Sequence, residues 1–99
     1  MRWRIYDEAV EMVEQRFQYL PRVFRWRGRY YDVEAVDRCW AVSRRRWHGR
    51  VERRFFQVRC AQDVFELYQD LRAGTWHLRR ARLLPVRALA VRRVSPAWR

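Results

Sequence analysis

Residues 21–40 read PRVFRWRGRYYDVEAVDRCW, and this stretch decides the fold. Phe24 and Trp26 alternate with Arg25 and Arg27, which is the period of two of a half-buried strand. Arg27-Gly28 breaks the run, and Gly28 can take the positive φ of a tight hairpin turn. Tyr30, Tyr31, Val33 and Val36 carry the chain back. Pro21 ends whatever precedes it and biases Leu20 toward extended backbone. The stretch is therefore a β-hairpin followed by a short connector.

Downstream the same reading continues. Residues 37–43 are expected to be extended, with Trp40 and Val42 directed to the core. Arg44-Arg45-Arg46-Trp47-His48-Gly49-Arg50 forms the most basic loop, turning at His48-Gly49. Residues 51–60 form a strand with Phe56, Val58 and Cys60 on one face and Phe55, Gln57 and Arg59 on the other. Residues 64–68 form another strand. A turn through Gly74 then leads into residues 75–81, with Trp76 and Leu78 inward. Trp26, Trp40 and Trp76 all fall on inward phases and are expected in the core.

Upstream, residues 5–20 (IYDEAVEMVEQRFQYL) admit two readings. Tyr6, Ala9, Val10, Val13, Phe17 and Leu20 fit helical spacing, with Asp7 as a cap. The rival is a strand through Val10 and Met12 that pairs with the one after Pro21. Periodicity favours the helix.

At 99 residues the chain is a single domain, large enough to bury roughly 60–70% of the surface its unfolded form exposes. Sixteen aromatic residues (six Trp, five Tyr, five Phe) supply core volume without disulfides or metal. There are 23 arginines and no lysine against 11 acids, for a formal charge of +12. The choice of Arg over Lys points to GC-rich codon usage. The excess of positive charge attracts polyanions whatever its origin. Cys39 and Cys60 are single and widely spaced, as in reduced, buried thiols of a cytoplasmic protein. No signal peptide opens the sequence, and no apolar run approaches the roughly 20 residues of a membrane span. The expected architecture is all-β, or mainly β with a short helix. It is a small antiparallel meander over residues 1–84 curled toward a barrel, followed by an irregular basic C-terminal tail over 85–99.

The pattern Pro21, Phe24, Trp26, Arg27, Gly28, Arg29, Tyr31, Val33, Val36, Trp40 resembles a family of small bacterial domains of unknown function. Residues 54–58, the Glu66-Leu67-Tyr68 strand, and Asp70, Gly74 and Trp76 extend the likeness over roughly residues 6–83. The resemblance implies a first strand, not a helix, near residues 6–12. It also implies an association with the surroundings of error-prone, translesion-type DNA polymerase genes.

The density of arginine selects the candidate site. Residues 38–59 hold eight arginines and one acid, Glu52. Arg44, Arg45, Arg46, Arg50, Arg53 and Arg54 are candidates for phosphate contacts, and Trp47 for stacking on a base. Arg25 and Arg27 form a second basic surface on the hairpin, unless acids of neighbouring strands neutralise them. His48 and His77 are isolated, the cysteines lack ligand-like spacing, and no Gly-rich phosphate loop occurs. The expectation is thus no enzyme, no cofactor and no metal site. The domain is expected to bind nucleic acid, DNA in the first place, with no membrane role. The alternative is an adaptor that docks on an acidic protein of a repair or replication pathway. Homodimerisation through the tail or a sheet edge is a further expectation.

Overall fold

The structure is a computed structural model that describes residues 2–46 and 49–83. Trp47, His48 and the expected tail over 85–99 lie outside the described residues. Seven strands run β1 Arg4–Arg16, β2 Leu20–Trp26, β3 Arg29–Asp32, β4 Ala35–Arg46, β5 Gly49–Cys60, β6 Asp63–Asp70 and β7 Thr75–Arg82. They form one antiparallel sheet in the order β3-β2-β1-β7-β6-β5-β4. Among the described residues there is no helix, and hence none long and apolar enough to cross a membrane.

The helical spacing read in residues 5–20 is overturned, because β1 is a strand. Positions i and i+4 share a face in both periods, so Tyr6 and Val10 could not discriminate. The deciding positions are Glu8 and Met12. Both lie on the inner phase with Tyr6 and Val10, whereas Ala9 and Val13 are exposed. The Glu8 carboxylate is used there. It accepts from Trp26 Nε1 at 2.8 Å and from Arg27 Nη2 at 2.6 Å.

The inner face holds Phe24, Trp26, Phe56, Val58, Phe65, Leu67, Trp76 and Leu78. Each such side chain contributes about 1.5–3 kcal/mol by leaving water. The sheet is rolled, not flat. Phe65 on β6 meets Phe24, Tyr31 and Trp26 at centroid separations of 5.4, 5.1 and 6.1 Å, although β2 lies three places away in the sheet. The roll stops short of a barrel, since β3 and β4 do not pair. The Val33-Glu34 link instead lies against β5, with Glu34 N donating to Arg59 O at 2.8 Å.

Trp26 and Trp76 are in the core, as expected, but Trp40 is not. A register shift between Val36 and Arg38 inserts a bulge, so Val36 faces the core and Cys39 pairs with Phe56. Trp40 and Val42 are thereby turned to the outer face. There Trp40 stacks on Phe55 at 5.3 Å, Phe55 contacts Tyr68, and Tyr68 stacks on His77 at 4.7 Å. Cys39, expected to be buried, is exposed although it stands opposite Phe56, because it lies on the edge strand β4, while Cys60 is buried.

Three of the hairpin turns differ in how they close. Arg27-Gly28, at φ +52° and +78°, forms the two-residue turn the sequence indicates. The turn from Arg16 to Tyr19 places Phe17 at φ +55° and Gln18 at +65°, closed by Tyr19 N donating to Arg16 O at 3.2 Å. Neither residue is Gly or Asn, so this left-handed backbone costs roughly 1–2 kcal/mol per residue. At the third, Asp70 Oδ1 accepts from the backbone N–H groups of Arg72 and Ala73 at 3.0 and 3.1 Å, fixing the β6–β7 turn.

Candidate nucleic-acid interface

Of the segment expected as a loop, residues 44–50, the described residues 44–46 and 49–50 are paired ends of a two-stranded ribbon. β6 pairs with β5 only from Arg53 onward, whereas β4 and β5 stay paired out to Arg46 and Gly49. Ser43–Arg46 and Gly49–Glu52 therefore project past the sheet, about 13 Å at 3.3 Å per residue. The β6–β7 turn braces the base of this arm. Leu71 N donates to Glu52 O at 2.9 Å, and Arg72 Nη1 donates to Arg50 O at 3.1 Å. Gly49 sits at φ +115°, a backbone conformation that favours glycine.

Residues directly opposite in an antiparallel pair share a face. Arg45 stands opposite Arg50, and Arg54 lies farther down the same side. Arg44 stands opposite Val51 on the reverse side. Like charges placed opposite each other are destabilising. Among the described residues, none of Arg44, Arg45 or Arg50 has an ion-pair partner. The Arg53 guanidinium lies over the Tyr68 ring, with its carbon 4.6 Å from the centroid, and Arg38 lies over Trp40 at 4.8 Å. These flat cations on rings roof part of the outer face.

Arg25 and Arg27 are not brought to this arm. They sit toward the β2–β3 turn, at the other end of the strands, and acids of β1 neutralise them. Arg27 pairs with Glu8 at 2.6 Å, Arg25 with Glu11 at 3.5 Å, and Arg22 with Glu14 at 3.9 Å. The Arg27 hydrogen bond, helped by that from Trp26, holds the Glu8 carboxyl below the usual carboxylate range. Asp32 of β3 and Glu66 of β6 do not pair with Arg25 or Arg27. Glu66 is buried and accepts from Arg79 and Arg80, each at 3.0 Å.

Three contributing residues were missed. Arg72 lies at the base of the arm, and Phe17 and Tyr19 lie at the same end of the sheet. A second arm, the β1–β2 hairpin, leaves the sheet at the same end, since β1 pairs with β7 only as far as Val10. Its tip exposes Phe17 (75%) and Tyr19 (42%). Arg54 reaches across to it, with its guanidinium carbon 5.5 Å from the Tyr19 centroid. The helical reading had absorbed Phe17 into an apolar stripe, and nothing in Phe17-Gln18 signals a left-handed turn. Of the expected residues, the Arg46 side chain and Trp47 lie outside the described residues.

The thiols and histidines assemble no reactive group among the described residues. Burial pushes the Cys60 thiol up to about 12, far from a usable nucleophile. His77 Nε2 is 2.9 Å from Thr75 Oγ1, its ring stacked on Tyr68. No group of three or more His, Cys, Asp or Glu side chains among the described residues could hold a metal ion.

Comparison with known proteins places residues 1–83 in the family described as Domain of unknown function (DUF6504). No curated protein and no solved structure matches the chain.

Proposed function

The chain belongs to the DUF6504 family of domains of unknown function, and from that premise we propose that it is a non-enzymatic, nucleic-acid-binding accessory domain of the cytoplasm, serving DNA repair or translesion synthesis. One observation carries the reading. The β4–β5 arm presents Arg44, Arg45 and Arg50, none of them in an ion pair among the described residues, with Arg45 opposite Arg50 and Glu52 the one acid on the arm, while Arg22 and Arg25 of β2 and Arg27 of the turn after it are each paired. A polyanion relieves the repulsion that the fold leaves in place. Arg fits that task because its planar fork meets phosphate oxygens two at a time. Affinity would come from counterion release, with little base readout.

The test is fluorescence anisotropy on a 20-nucleotide DNA across a salt series. Two variants each lose three positive charges: Arg44→Ala/Arg45→Ala/Arg50→Ala on the arm, and Arg22→Gln/Arg25→Gln/Arg29→Gln on the other hairpin. The arm variant is expected to bind more weakly, with a log–log salt slope shallower by about 2 for single-stranded DNA, at roughly 0.7 per phosphate contact. The hairpin variant should keep the wild-type slope. Equal behaviour of the two variants would reduce the binding to generic charge and turn attention to an adaptor role.

A further inference from the structure

The two arms differ in chemistry yet rise from the same end of the sheet. One carries Arg45, Arg50 and Arg54 along a single side, with Glu52 between the last two. The other ends in Phe17 and Tyr19, exposed at the tip of a hairpin. The Arg54–Tyr19 contact at 5.5 Å shows that the arginine-bearing side is the one turned toward the aromatic arm. Among the described residues, only the short β6–β7 turn, Leu71–Gly74, stands between the arms. An apolar ring that is three-quarters exposed gains nothing from folding. It also sits at φ +55°, where glycine or asparagine would be the comfortable residue. The position is thus doubly unfavourable for the isolated domain, the pattern expected where a side chain is held out for a ligand.

The geometry points to single-stranded nucleic acid as the ligand, threaded between the arms with its phosphates on Arg45, Arg50 and Arg54 and a base stacked on Phe17. This rests on the reading of the β4–β5 arm as a phosphate-binding surface. Only an unpaired strand offers both groups at once, because in a duplex the base faces are already covered by their neighbours. Phe17 then supplies affinity that salt does not screen, alongside the arginines whose contribution salt removes.

The experiment compares a 20-nucleotide single strand with duplex DNA of equal phosphate number, using wild type, Phe17→Ala, Phe17→Trp and Phe17→Gly, with folding checked by circular dichroism and thermal melting. Single-stranded DNA is expected to bind about tenfold tighter than the duplex. Phe17→Ala should lose about tenfold or more on the single strand, with an unchanged salt slope, and Phe17→Trp should restore the affinity. Phe17→Gly relieves the backbone, so it should raise the melting temperature while binding as weakly as Phe17→Ala. Wild-type affinity in Phe17→Ala or Phe17→Gly, or equal binding of duplex and single strand, overturns the stacking role while the arm variant's loss still upholds phosphate binding. A Phe17→Ala protein that binds normally but dissociates from dimer to monomer in light scattering assigns the ring to self-association and overturns the inference as well. If the arm variant of the preceding section binds as wild type does, both readings fall together.

Discussion

The β2–β3 hairpin and the β4–β5 arm are both arginine-rich, and they end in opposite electrostatic states. Arg22 and Arg25 on β2, and Arg27 in the turn after it, meet Glu14, Glu11 and Glu8 of the adjacent β1. Gly49–Glu52 of β5 have β4 as their one strand partner among the described residues, and β4 is the edge of the sheet, so Glu52 is the single acid on the arm and no second strand brings acids to Arg44, Arg45 and Arg50. The composition of the two segments is similar, and the neighbour is what differs. A charge run acquires meaning from the strand placed beside it. Surface pairs of this kind contribute only ~0–1 kcal/mol each, so pairing on β2 matters less for stability than for removing that surface from competition for a polyanion.

The largest break in the comparison should come from the tryptophans anchoring the two regions. Trp26 is buried against Tyr6, Tyr31 and Phe65, whereas Trp40 is half-buried on the outer face. Trp26→Ala is expected to cost about 3–5 kcal/mol, a large part of a typical domain's 5–15 kcal/mol. Trp40→Ala should cost less than half as much in urea unfolding. Equal losses would mean that the arm's root is as much a part of the core as Trp26.

A smaller effect separates the acids. Glu8 and Asp70 both have carboxyls held below their ordinary values, Glu8 by Arg27 and Trp26, and Asp70 by the backbone N–H of Ala73 and then of Arg72. A depressed folded value means stability that is present above the unfolded pKa and lost as pH falls through the folded one. Melting temperature should therefore decline as pH drops below about 4.5. Glu8→Gln should flatten that decline and lower the neutral-pH melting temperature by several degrees. An unchanged acid limb in Glu8→Gln would show that the β1–β2 ion pairs contribute nothing to stability.

The smallest effect is the most pointed. Arg45→Glu converts the Arg45–Arg50 opposition into an attractive cross-strand pair, making the arm resemble β2. It should stabilise the domain by about 0.2–1 kcal/mol and at the same time weaken DNA binding and lower its salt slope. A variant that gains stability without losing affinity would separate the repulsion from the binding.

Much of the fold was legible in the sequence, and the failures share a cause. Phe24/Trp26, Phe56/Val58 and Trp76/Leu78 showed their inward phase because their strands run unbroken across them. Trp40 was misplaced because the bulge between Val36 and Arg38 shifts the phase by one and leaves no trace in residue type, and Cys39 because β4 is the edge of the sheet. Residues 5–20 were ambiguous because inner positions such as Tyr6 and Val10 satisfy both periods. The arginines of the site could be named from density alone. Their division into paired and unpaired sets depends on β1 lying beside β2, a fact of topology. Phe17 and Tyr19 were hidden by the same helical reading that hid the hairpin.

The sheet order carries one more consequence. Strands β1–β3 are two consecutive hairpins, and β4–β7 are three, every pairing within each group joining neighbours in the chain. The single ladder between the groups is β1 with β7, where Arg4 meets Ala81 and Val10 meets Trp76. Closing a loop of that length brings no reward until both groups are formed. The protein should thus assemble as two locally organised halves that zip together last along β1 and β7. Changes along this ladder should act chiefly on how fast the domain comes apart, and changes at the hairpin turns on how fast it forms.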